Sequence, residues 1–288
     1  DRRRGSMINE AALSRLSLNQ RTTASWSLPD AIKGCVDAGL GAIGIWREQV
    51  AEVGLDEASR LVAESGLRVS SLCRGGFFTT ADPAEAQASE VMNRTAIEEA
   101  AALTAATLVL VPGGLPSGDK DLVAARDRAA QAIERLVPYA HELGVNLGIE
   151  PMNPIYAADR GVISTLAQAL EIAERFDAAD VGVVVDTFHL WWEPGIADQL
   201  QRARERIVSY QICDWITPLP ADSLLARGMM GDGHIDFPAF TRSVVRAGYR
   251  GDIEVEIFNA DLWALPPAEV VDTMAGRYLE LVQPYLDE

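Results

Sequence analysis

Four apolar, strand-like runs in the second half of the chain each carry, at or near their end, a side chain able to ligate a cation. They are VNLGIE ending at Glu150, VGVVVD ending at Asp186, IVSYQI carrying Gln211, and IEVEI carrying Glu256. A carboxylate at the end of a buried strand needs a partner, because an unpaired buried charge is costly. Four such residues converging on one point would make a mostly oxygen-lined cage with three negative charges, which suits a hard or borderline divalent cation. Taken singly, Glu150 and Asp186 could form structural ion pairs and Gln211 could be a core amide; the agreement of four positions points to a ligand set. Glu256 has a rival in Glu254, which strand alternation puts on the same face. Glu256 lies nearer the carboxyl end and is preferred.

Other residues could serve the same place. His189 follows Asp186 by three positions, and its ring titrates near neutral pH, so it is expected to exchange a proton with a substrate oxygen. Arg74 could steer an oxyanion or simply be solvated, and His234, after Gly-Asp-Gly, could touch a substrate or sit exposed in its loop. Trp191 and Trp192, with Trp46, Phe77, Phe78 and Trp215 at other strand ends, form a stacking wall or ordinary packing.

The elements that must position these groups follow from periodicity. Strands are predicted at 13–18, 42–46, 68–72, 107–111, 145–150, 181–186, 207–212 and 252–257. Helical patterns fill 29–39, 56–65, 84–104, 120–143, 164–176, 196–205, 237–247 and 267–285. Ser27 before Pro29, Ser164, and Pro266-Pro267 mark helix starts, and Gly39, Gly66, Gly144 and Gly248 mark stops. Eight strands alternating with eight helices, without a linker, predict a single (β/α)8 barrel of class α/β. An open doubly wound sheet would carry a glycine-rich turn after its first strand, and LNQRTTASWSLP has no glycine. In a barrel the active face lies at the carboxyl ends of the strands, and the long loops 74–79, 111–120, 150–161, 186–195 and 213–237 all leave those ends.

The 288 residues carry a net charge of −17, which repels phosphate backbones and disfavours nucleic acid as a partner. No run approaches the roughly 20 apolar residues that span a bilayer. Three widely spaced cysteines, Cys35, Cys73 and Cys213, make no disulfide framework, and a cytoplasmic setting is expected. Residues 1–7, with Gly5-Ser6-Met7, read as a cloning remnant without a signal peptide, which leaves 8–288 as one barrel domain.

The segments GIEPMNP, VVVDTFHLWW, QICDW, RGMMGDGHIDF and GDIEVEIFN resemble the xylose isomerase-like TIM barrels, the superfamily of sugar phosphate isomerases and epimerases, inosose and dehydroshikimate dehydratases, and an endonuclease branch. The resemblance runs in order from the second strand to the last helix. It implies that Glu150, Asp186, Gln211 and Glu256 hold one divalent metal, typically Mn2+, with Mg2+ or Co2+ as alternatives. It makes Glu150 and Glu256 the acid/base pair, sets His189 against substrate oxygens, and pairs Arg227 with substrate hydroxyls or a carboxylate. It also points, with the apolar helices, to a homo-oligomer, a dimer or tetramer, which a small partner subunit could join. Gln211 departs from the pattern: isomerases and epimerases of this kind usually have histidine there, while some dehydratases have glutamine. The endonuclease branch needs more histidines than His141, His189 and His234.

The chemistry such a cage serves is proton abstraction next to the carbonyl of a keto-sugar or keto-polyol, with the resulting enediolate stabilised by the cation. Reprotonation gives an epimer or isomer, and expulsion of a β-leaving group gives a lyase acting on a cyclic keto-polyol or 3-keto-glycoside. A non-catalytic sugar-binding barrel would keep the aromatics without needing four convergent ligands.

Overall fold

A computed structural model describes residues 11–288; the expected remnant at 1–7 lies outside the described residues. Eight parallel strands close on themselves in chain order: β1 (Leu16–Asn19), β2 (Ala42–Trp46), β3 (Arg68–Gly76), β4 (Leu108–Val111), β5 (Leu147–Ile149), β6 (Val181–Asp186), β7 (Ile207–Ile212) and β8 (Ile253–Val255). The seam pairs Leu16 with Ile253 and Leu18 with Val255, so the barrel has no edge strand. The fold is a single (β/α)8 TIM barrel. Helices cover the outer face, so both faces of each strand are buried and the strands read as continuous Val, Ile and Leu runs.

Capping explains where the helices begin. Ser27 Oγ accepts the Asp30 N–H at 3.3 Å, and Asp82 Oδ1 accepts those of Ala84 and Glu85 at 2.8 and 3.1 Å. Their ends use the four glycines expected there: Gly39, Gly66, Gly144 and Gly248 have φ of 73°, 74°, 67° and 99°, a region other residues avoid.

Register sets the inward row beneath the site. Asp186 pairs with Gln211, and Gln211 pairs with Glu254. Parallel neighbours in register present their side chains to the same face, so these three line the barrel interior together. Glu254 reaches across to β2, where a Cβ on Gly44 would lie 2.6 Å from its Oε1. A side chain at Gly44 would displace that carboxylate.

Several elements differ from expectation, among them the short helices Thr187–Leu190 and Ala260–Trp263. The first strand starts at Leu16 rather than 13, because residues 11–13 are helical; Leu13 is buried in either state, so its apolar character does not report which. An extra helix, Arg47–Val53, follows β2 directly. The long segment after β7 folds into a two-stranded antiparallel ribbon that pairs Asp214 with Gly228 and Trp215 with Arg227. That ribbon aims Arg227 into the barrel mouth.

Candidate active site

Glu254 is satisfied at the bottom of the barrel. Its carboxylate accepts hydrogen bonds from Ser71 at 2.8 Å, from Asn19 at 3.0 Å and from Ser70. It is a polar plug, and it also supports the next layer, because Asn19 Nδ2 lies 3.2 Å from Glu256 Oε1.

Above the plug, Glu150, Asp186 and His189 each offer an atom within 4.8 Å of the others, all buried. Asp186 caps the short helix Thr187–Leu190, accepting the Phe188 N–H at 2.8 Å. That turn brings His189 back over Glu150. The Asn153 N–H donates to His189 Nδ1 at 2.9 Å, which puts the proton of the neutral ring on Nε2; that nitrogen faces Glu150 Oε1 at 3.0 Å, with Arg227 Nη2 beside it at 3.1 Å. Glu256 stands one residue past β8.

Arg227 occupies the centre of this group. Its Nη1 donates to Asp186 Oδ2 at 2.7 Å, and its Nη2 lies 3.5 Å from Glu256 Oε2. The Phe188 and Phe258 rings flank the guanidinium, with centroids at 4.9 and 5.6 Å. Three buried carboxylates therefore share one guanidinium, and negative charge is in excess. The excess appears as proton affinity. Burial, followed by repulsion from Asp186, pushes the Glu150 carboxyl up to about 8 against the pull of Arg227. Burial likewise raises Glu256 well above the carboxylate range, and the Glu150 charge adds to this. For His189 the expectation of neutral-pH titration gives way. Burial drives the ring down to about 3, and its Nδ1 is already occupied as an acceptor. His189 is a neutral Nε2–H donor.

Gln211 is fully buried in the row beside Asp186, yet neither its Oε1 nor its Nε2 has a hydrogen-bond partner. A buried amide without partners costs about 1–3 kcal/mol. This is the orphan a ligand set would leave before its cation binds. Glu150, Asp186 and His189 could hold an ion between them; Gln211 stands in register beside Asp186, and Glu256 lines the same cavity as Glu150, with carboxylate and amide oxygens of the hard type a divalent ion takes.

The site opens into a cavity of about 280 Å³, near the small end of ligand pockets. Glu150, His189, Arg227, Glu256, Trp46 and Arg74 all line it. Trp191 and His234 are not brought there. Trp191 stacks on Trp215, centroids 5.6 Å apart, and His234 Nε2 lies 3.1 Å from Thr217 Oγ1 on an outer loop. The sequence reading missed Arg21, Tyr156, Arg160, Phe258 and Trp263, which complete the wall. Tyr156 and Arg160 lie in a loop already marked as a candidate, and Arg21 is the second residue past β1; position after a strand end was the available signal.

Residues 32–279 match the family described as Xylose isomerase-like TIM barrel, and the chain belongs to that family. A solved structure from Sinorhizobium meliloti 1021 is 44% identical with a TM-score of 0.90, covering 93% of this chain and 98% of that one. A 3-dehydroshikimate dehydratase of Pseudomonas aeruginosa is 33% identical over 52% of this chain. The chain spans only 24% of that enzyme's length. A ketose 3-epimerase of Arthrobacter globiformis is 24% identical over 72% of this chain and 69% of its own.

Proposed function

We propose that this protein is a divalent-metal-dependent enzyme that moves a proton on the carbon next to the carbonyl of a small keto-sugar or keto-polyol, giving an epimer or isomer. The observation that carries this reading is the pair Glu150 and Glu256, each one residue past its strand, β5 and β8, and both facing one cavity with raised proton affinity. A group that abstracts a carbon-bound proton works best with a pKa near the operating pH. The cation would be held by Glu150, Asp186, Gln211 and Glu256, with Mn2+ the first choice and Mg2+ or Co2+ also suited. Bound there, it supplies positive charge that polarises a carbonyl and offsets the negative charge that develops beside it.

The chain's own groups do the rest. One glutamate takes the proton from carbon and the other returns one. The His189 Nε2–H, fixed in that tautomer by Asn153, faces Glu150 and would turn to a substrate oxygen once that carboxylate engages the cation. Arg227 turns its remaining N–H groups to substrate oxygens, and Trp46 and Phe258, in edge contact at 5.8 Å, shield the floor from water. Similarity to a ketose 3-epimerase supports the outcome. Gln211 and the dehydratase relative favour a second reading, elimination of a β-leaving group after the same proton abstraction.

Incubating the Mn2+-loaded protein with ketoses in deuterated water tests both. An epimer or isomer that has gained one deuterium is expected, whereas a lyase gives a product lighter by the leaving group. Full metal content and full exchange in Glu150→Gln would overturn the assignment.

A further inference from the structure

The rim of the cavity carries charge opposite to that of the whole molecule. Although the chain has a net charge of −17, Arg21, Arg74 and Arg160 line the cavity with only the Glu48 carboxylate among them besides the floor glutamates. Their ion pairs are long or missing. Arg21 lies 3.6 Å from Glu48, itself 56% exposed, and Arg160 lies 3.8 Å from Asp159, itself 65% exposed. Among the described residues Arg74 makes no ion pair, and the Nε atoms of Arg21 and Arg160 are buried without a partner. Three partly buried guanidiniums share this rim, and the carboxylates that offset them, Glu48 and Asp159, do so only at long range from exposed positions.

Two of them are also pre-arranged. The Arg74 guanidinium stacks over the Phe77 ring at 4.2 Å, and that of Arg21 stacks over Trp46 at 4.3 Å. Stacking holds the planar fork while leaving its N–H edges free, the geometry that recognises carboxylate or phosphate. Burial lowers the Arg74 proton affinity below that of an ordinary guanidinium; the Glu48 charge opposes this, and the Arg160 and Arg21 charges add a smaller push in the same direction as burial. An anion would relieve that cost. The floor is taken up by the carboxylates, Arg227 and the carbonyl end of the substrate, so the rim arginines are the cationic groups left for an anion. The pocket therefore has two ends.

We infer that the substrate is an anionic keto-sugar, whose carboxylate or phosphate binds between Arg74, Arg21 and Arg160 while its carbonyl end reaches the glutamate floor. This inference rests on the proposed proton transfer for the carbonyl end and on the rim arginines for the anionic end. The cavity volume of about 280 Å³ limits the ligand to roughly one sugar unit.

Three ketoses that differ only at carbon 6 separate the possibilities: D-fructose, D-fructuronate and D-fructose 6-phosphate. Calorimetric titration of the Mn2+-loaded protein is expected to show at least one of the two anions binding tenfold or more tighter than fructose. The preference should weaken as salt is raised, and the tighter anion identifies carboxylate or phosphate. In Arg74→Met the ratio of anion to fructose affinity should fall toward one, while Arg74→Lys should keep part of it. Fructose binding as tightly as both anions, or no binding by any of the three, overturns the inference, as does an unchanged ratio in Arg74→Met. Arginine-dependent anion binding with no deuterium exchange from any of the three would instead sink the proton-transfer reading and leave the anion site standing.

Discussion

Excess negative charge in the floor makes proton and cation rivals for the same oxygens. Without a cation Glu150 titrates near 8, far above the 4.5 of an unfolded glutamate. The folded state then holds a proton that the unfolded chain has released. That contribution is complete below pH 4.5 and is lost as pH rises through 8. His189 acts in the opposite direction: held neutral down to about 3, it weakens the fold only below its ordinary 6.5. Between pH 6.5 and 8 Glu256, also raised by burial, acts in the same direction, and so does the exposed His141, raised by its hydrogen bond to Asp180, so the melting temperature of the metal-free protein should fall across that window. Glu150→Gln should reduce the fall, and saturating Mn2+ should reduce it further, because metal binding replaces the proton. A metal-free melting temperature that stays level from 6.5 to 8 in the unmodified protein would contradict the charge excess. Gln211 permits a sharper test at the same scale. Its amide has no partner to lose, so Gln211→Met should leave the metal-free protein as stable or more stable, by up to about 1–3 kcal/mol. The same change should lower Mn2+ affinity about tenfold or more. A loss of stability without metal, with affinity unchanged, would make Gln211 an ordinary core amide. That Glu256 and not Glu254 lines the cavity was legible from depth along one strand. The insertion of Arg227 among the carboxylates was not, because its partners Asp186 and Glu256 lie 41 and 29 residues away and no local pattern encodes the loop path that joins them.

At the scale of elements, the segment after β7 decides whether Arg227 reaches the site. Asp214 makes the most bonds to it: its Oδ2 accepts the N–H groups of Gly231 and Gly233 at 2.9 and 2.8 Å, and its Oδ1 accepts that of Ile235 at 3.0 Å, while Arg277 holds the Met230 carbonyl and Asn259 the Arg227 carbonyl. The loop passes so close that a Cβ on Gly233 would lie 2.0 Å from the Trp215 carbonyl oxygen. Hydrogen bonds to a charged acceptor contribute about 1.5–3 kcal/mol each, and clustered ones do not add fully. Asp214→Ala should therefore cost about 3 kcal/mol or more in urea denaturation, expose 216–235 to proteolysis, and raise KM through a displaced Arg227. Protease resistance equal to that of the unmodified protein would show that the loop is held by other contacts. The barrel strands and their helices were legible because apolar runs, caps and stop glycines agree at each junction. The ribbon was not: Asp214-Trp215 and Arg227-Gly228 are two-residue strands, too short for any alternation to register. The helix Arg47–Val53 escaped because it follows β2 without a glycine or a turn between them.

For the molecule as a whole, barrel closure and site geometry depend on the same seam. The chain's first and last strands meet at β1 and β8, and one hydroxyl fastens their upper ends. Thr22 Oγ1 donates to the Val255 carbonyl at 2.8 Å and accepts the Ile257 N–H at 3.0 Å, a link spanning more than 230 residues of sequence. Glu256 lies between those two backbone groups, so its carboxylate is aimed by the same clasp. Thr22→Val keeps the volume but leaves a buried carbonyl and a buried N–H unmatched, each costing about 1–3 kcal/mol. The expected result is a loss of about 2–4 kcal/mol in a single cooperative transition, because no edge strand can open independently once the ring is closed. Metal affinity should fall as well, through the loosened Glu256, while Thr23→Val, at a neighbouring hydroxyl without a hydrogen-bond partner, should change neither quantity. If Thr22→Val and Thr23→Val lost equal stability and kept equal Mn2+ affinity, the coupling between barrel closure and the site would not exist.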